Sequence, residues 1–263
     1  MTRWGIVLVL GCAGCGDDSA MPDGLHLVDA AVDAATPDAP PDAPGAACPN
    51  PATDAGGGGM YTLYINAEGV TLLKGLCDNS RTNCTNLISA NMAVVTPFKQ
   101  NDPNRQAFID EIVLLVQSAL LPYSVDVVTT RPASGDYNMV VLGGDCTLTG
   151  GTMPCQSFGV GVLSCNLTNR DHISLDFDNT AVFPQGTPYI YANLILSDVG
   201  LFAAMSVSTT TGDCETRNGT GLSNDTLCTF GSNATVSTTM GMCPGAGATE
   251  DEPNLLKTAF GCR

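Results

Sequence analysis

The sequence predicts a mixed α/β (α+β) domain over residues 60–263, and three observations predict it. Tyr61-Thr62-Leu63-Tyr64-Ile65 alternates at period two, the pattern of a strand. Residues 105–121 (RQAFIDEIVLLVQSALL) place Phe108, Ile112, Leu115 and Ala119 on one helical face. Residues 189–207 form a second, mostly apolar stretch of helical length, reached only after several Val-rich strand patterns.

Each element has its own justification. Pro122 ends the first helix, because proline has no N–H to continue the ladder. Residues 124–130 (SVDVVTT) and 137–142 (YNMVVL) are rich in β-branched residues, and Pro132 to Gly135 turns between them. Residues 159–164 read as a weaker strand at an edge, and residues 172–177 (HISLDF) alternate again. Residues 208–253 are rich in Gly, Thr, Ser and Asn and read as loops held by disulfides, with a short closing helix at 254–260.

Two segments precede the domain. Residues 1–15 (MTRWGIVLVLGCAGC) carry Arg3, a short apolar run and then small residues before a cysteine, the layout of an export signal too short to span a bilayer. Ala13-Gly14 before Cys15 look like a bacterial lipobox, which implies a lipid anchor on Cys15, with Cys12 the competing site. An ordinary signal peptide with incidental cysteines is the plainer alternative. Residues 16–59 contain eight Asp, no Lys or Arg and no aromatic residue, and include DAAVDAATPDAPPDAP. Such a stretch buries too little apolar surface to offset its ordering entropy, so a disordered, extended tether is expected.

Charge and cysteines bound the function. The chain has 263 residues, 26 acids against 10 Lys and Arg, and a net charge of −16. Half of that net charge resides in the eight Asp of the tether, so it says little about a partner. It does exclude nucleic-acid binding, which needs clustered cations against phosphate. Cys12 and Cys15 fall in the leader, and the remaining ten of 12 cysteines are an even set suited to disulfides in an exported protein. Cys77–Cys84 closes a short local loop and is the pairing expected first. No C-x-x-C pair occurs in the domain, which disfavours a zinc ribbon.

The stretch VDVVTTRPASGDYNMVVLGG (125–144), with Asp198-Val199-Gly200 and Asp213-Cys214 downstream, resembles predicted secreted bacterial lipoproteins whose domain is metzincin-like, a zinc metalloprotease fold. The resemblance covers about residues 60–263. It implies a twisted, mainly parallel sheet with a packed helix, an antiparallel edge strand and then an active-site helix. In that family the helix carries H-E-x-x-H-x-x-G-x-x-H, three histidines on Zn²⁺ and a Glu that polarises the bound water. By resemblance, Ser197, Leu201 and Val207 stand at the three His positions, Asp198 at the Glu and Ala204 at the Gly. Leu and Val have no lone pair for a metal, and Ala204 in place of Gly predicts that the helix runs on. The resemblance thus implies a degenerate active-site helix, no catalytic or metal residue and no cofactor. The expected role is a membrane-anchored, non-catalytic surface lipoprotein of a bacterial envelope, a pseudoprotease that holds an unknown peptide or protein in the old substrate cleft.

Two alternatives stay open: an active zinc metalloendopeptidase with an unrecognised ligand set, and a purely structural envelope lipoprotein. A buried helix of an unrelated fold is the plain reading of residues 189–207. His26 and His172 are the chain's two histidines, too few for a His-based zinc site in the domain. His172 is expected to cap its strand or meet solvent. Asp171, Asp176 and Asp178 leave a structural calcium site open, although no Gly or closing Glu completes a calcium loop. No Gly-x-Ser-x-Gly elbow and no phosphate-binding glycine loop occurs.

Overall fold

The computed structural model describes residues 5–8, 61–150, 158–165, 167, 170–178, 186–216, 223–237, 243 and 246–263. The lipidation candidates Cys15 and Cys12, and the predicted tether 16–59, lie outside the described residues. In chain order the elements are β1 (Gly5–Leu8), β2 (Tyr61–Asn66), β3 (Val70–Lys74), β4 (Cys84–Thr85), β5 (Met92–Val95), α1 (Arg105–Ala119), β6 (Val125–Val128), β7 (Asn138–Leu142), β8 (Gly159–Leu163), β9 (Ile173–Asp176), α2 (Pro188–Phe202), β10 (Ala234–Thr235), β11 (Thr249–Glu250) and α3 (Glu252–Phe260). A single 3₁₀ turn spans Cys146–Thr149, capped by the Asp145 side chain.

The main sheet has the order β1-β8-β9-β7-β2-β6. β2 runs parallel to β6 and β7, and β7 runs parallel to β9. β8 is antiparallel to β9 and to β1. The expected edge position of 159–164 is therefore corrected: β8 is bordered on both sides, its outer neighbour being Gly5–Leu8 from the predicted export signal.

Strand pleating divides the core in two. Leu63, Ile65, Val125, Val127, Val140 and Leu142 point to the face covered by α1, α2 and α3. Tyr64, Met139, Val141, Val160, Val162, Ile173 and Leu175 point to the other face. There they meet Leu72, Leu87, Ile88 and Val95, carried by and around the small sheet β4-β3-β5. That small sheet is absent from the sequence reading, because its strands are short and half-exposed, with no clean alternation.

α1 buries Ile109, Ile112 and Val116, with Phe108, Leu115 and Ala119 half-buried beside them, a face rotated slightly from the expected one. α2 is buried almost all round, as a helix between a sheet and a loop layer must be. It stops at Phe202 rather than running to 207. Ala204 adopts φ +64°, so the chain turns there even though the residue is not glycine, and the expectation that the helix runs on is corrected. The N–H groups of Ala203 and Met205 close the helix on the Gly200 carbonyl, which satisfies its last turn.

Disulfides hold the loops. Cys77 is bonded to Cys84, Cys165 to Cys243 and Cys214 to Cys228. Cys146 and Cys262 are disulfide-bonded as well. Among the described residues, no helix is long and apolar enough to cross a membrane.

Candidate functional site

The end of α2 and the chain just after it carry the positions that the resemblance gives to the zinc motif. Ser197 is half-buried on α2. Leu201, at 1% exposure, and Val207, at 2%, come together in one small apolar cluster with Leu163 of β8, and Cys243 packs against it. The Cys165–Cys243 disulfide closes this cluster from the loop side. The positions that the resemblance gives to the second and third histidines are therefore close in space and are filled with hydrocarbon. Zinc does not fit these residues: two of the three side chains offer no donor atom, and no reaction step is routed through a metal here.

Asp198 lies beside Leu201, against Gly161 under the sheet. Apart from Leu163, the helix-facing side of β8 and β9 consists of Gly159, Gly161, Ser174 and Asp176, small or polar where the rest of that face is apolar. The two glycines leave the space that the acids fill. A Cβ at Gly159 would sit 2.5 Å from Oδ1 of Asp176, and one at Gly161 would sit 2.7 Å from Oδ1 of Asp198. Burial pushes the Asp198 carboxyl up to about 7, with the neighbouring Ser174 hydroxyl drawing it back. Burial also raises Asp176, and the Asp198 charge raises it further. Asp198 is thus a buried acid held against β8.

Glu215 meets α2 at Gly200, where a Cβ would overlap its Oε1. Around it stand Asp213, Glu250 and Glu252. Oδ1 of Asp213 accepts from the Glu215 N–H at 2.8 Å, and Oε2 of Glu252 accepts from the Gly231 N–H at 2.8 Å. Glu250 accepts from the Ser206 N–H and hydroxyl at 2.8 and 2.6 Å. Burial raises Glu215 well above the usual range, with Glu252 the next largest cause, and pushes Glu252 up to about 9, with Asp213 next. Sequence reasoning missed this cluster, because its members come from α2, the 205–216 loop, β11 and α3. The sign that could have found it is the glycine opposite Glu215 and opposite Asp213, and that becomes visible only in the fold.

His172 neither caps β9 through its side chain nor meets solvent, which corrects the expectation for it. It is fully buried, with Nδ1 2.6 Å from Oδ2 of Asp78, and its ring stacks on Phe202 at 5.7 Å. Oδ1 of Asp78 accepts from the Ile173 N–H at 3.0 Å, so the pair ties the Cys77–Cys84 loop to the start of β9. The calcium candidates are not gathered: Asp171 accepts from Asn79, Asp176 faces Asp198, and Asp178 lies by Lys99 and Tyr191. Among the described residues, no group of three or more His, Cys, Asp or Glu is arranged to hold a metal ion.

No family model, curated protein or solved structure matches this chain.

Proposed function

We propose that the chain is a non-catalytic, metzincin-like surface lipoprotein, anchored through Cys15, raised on the acidic tether and holding an extended peptide against its sheet. The observation that carries the reading is the cluster of Leu201, Val207 and Leu163 where the resemblance puts a zinc site. Three further features support it. Four mutually parallel strands, β6, β2, β7 and β9, are followed in space by an antiparallel β8, and α2 comes after them in the chain. Ala204 makes a left-handed turn at the position where the family has glycine. The chain's own Gly5–Leu8 lies antiparallel along Gly159–Leu163, so β8 accepts an extended segment by main-chain pairing.

Metal analysis of the purified, oxidised protein tests the reading. The wild type is expected to hold no stoichiometric zinc and to show no EDTA-sensitive peptidase activity. The triple variant Ser197→His/Leu201→His/Val207→His is expected to gain about one zinc per chain, checked by metal content and by the visible spectrum of the cobalt form. Stoichiometric zinc and peptidase activity in the wild type would replace this proposal with an active metalloendopeptidase. A folded triple variant that takes up no metal would remove the metzincin-like assignment. Intact-mass analysis tests the anchor, which an unmodified mature N-terminus would refute. A peptide-array screen tests the cleft, and the absence of any binder would count against peptide holding.

A further inference from the structure

The buried carboxyls form a row that runs from the sheet, through α2, to the C-terminal segment. Asp176 and Asp198 face each other beneath β8, and Glu215 lies against Gly200 two residues beyond Asp198. Asp213 and Glu252 complete the far end, 2% and 0% exposed. Oδ2 of Asp176, Asp198 and Asp213, and Oε1 of Glu215 and Glu252, are buried and meet no N–H or O–H donor. The charged groups acting on the row are themselves acids: Asp198 from α2, Asp176 from β9, Asp213 and Glu215 from the loop, Glu250 from β11 and Glu252 from α3. Tyr123 borders Glu252 on the remaining side, its hydroxyl pushed up to about 12 by burial and then by Asp251 and Glu252. The ion pairs Arg81–Asp136, Lys99–Asp178, Arg105–Glu68 and Asp78–His172 all lie elsewhere. Burying several carboxylates against one another without a cation costs more than retaining their protons.

We infer that this row is a proton-operated latch, which holds residues 205–216 against α2 while its carboxyls are protonated and releases that loop when they give their protons to solvent. Release lifts Glu215 off Gly200 and Val207 off Leu201, so the segment that closes the apolar cluster moves as one with the acids. The inference does not depend on the peptide-holding role or on the metzincin-like assignment.

The direction of the pH response follows from linkage. These carboxyls bind protons more tightly folded than unfolded, so their contribution is complete below about 4, the ordinary range. It is lost as pH rises, through about 7 for Asp198 and about 9 for Glu252. Within that window each proton held only by the folded chain changes the folded-to-unfolded ratio about tenfold per pH unit.

Urea denaturation of the full, oxidised chain from pH 5 to pH 9 tests the latch. The midpoint is expected to fall steadily with pH. Glu215→Gln and Glu252→Gln should each flatten the fall by about one proton and leave the protein more stable than wild type at pH 8.5. Hydrogen exchange, corrected for its intrinsic base catalysis, should show residues 205–216 and 228–237 opening at pH 8.5 while 61–66 and 138–142 stay protected. Because the whole chain is acidic, general repulsion also grows with pH, but repulsion would leave the Gln variants with the wild-type slope. A flat or rising midpoint, a slope unchanged in both variants, or exchange that is uniform across the chain would overturn the latch. Calcium chloride that restores the wild-type midpoint at pH 8.5, but not that of the variants, would also overturn it by making the row a cation site.

Discussion

Single residues decide what lies beneath α2. Gly159 and Gly161 share the helix-facing side of β8, and their missing side chains are what admit Asp176 and Asp198. In most strands a glycine only weakens the pairing; here it marks the close approach of a polar group. Gly161→Ala would put a methyl 2.7 Å from Oδ1 of Asp198 and 2.9 Å from Cδ1 of Leu201. We expect that variant to lose about 1–3 kcal/mol, the usual cost of overpacking, in urea denaturation at pH 5.5. An unchanged midpoint would mean that Asp198 does not lie against β8. Gly200 follows the same logic, since alanine would ordinarily favour a helix interior by about 1 kcal/mol. At this position its Cβ would collide with Glu215.

At the scale of elements, the ends carry more information than the middles. α2 is apolar enough to be read from sequence, but its apolar character continues through Ala203, Ala204 and Met205 and hides the point where it stops. Tertiary contacts set that point: Val207 returns to Leu201 and Leu163, which the chain reaches only by leaving the helix after Phe202. The left-handed Ala204 bears the cost of that turn, about 1 kcal/mol for an L-residue. Ala204→Gly should therefore stabilise the protein by about 0.5–1 kcal/mol, net of the entropy that glycine adds to the unfolded chain. Thermal unfolding measures it, and a lower melting temperature would contradict the turn. β3 and β5 show the converse failure of sequence reading. They pair with each other from Val70↔Val95 to Leu73↔Met92, yet expose Leu73, Met92 and Val94, so no period-two signal survives in them.

In the whole molecule, the loop-rich C-terminal layer is held by disulfides and acids rather than by a large core of its own. Cys165–Cys243 spans 78 residues and Cys214–Cys228 spans 14. The longer bridge restricts the unfolded chain more, by about 4 kcal/mol in the loop-entropy account. Replacing Cys165 and Cys243 together by Ser should lower stability by about that amount in urea, and should expose the Leu201–Val207 cluster first. Retention of wild-type stability would show that the acid row and packing alone hold the layer. The sequence by itself determined the mixed α/β class, the approximate places of β2, α1, β6, β7, β9, α2 and α3, and the lack of donors at Leu201 and Val207. Each of these depends on local periodicity or on the chemistry of one side chain. It also singled out Cys77 and Cys84, because a short loop brings its own ends together. Only the tertiary structure decided where α2 ends, that Asp78 meets His172, and that Asp176, Asp198, Asp213, Glu215 and Glu252 converge. The physical reason is distance along the chain: the acids come from segments up to dozens of residues apart, and their protonation follows from burial, which no local pattern records.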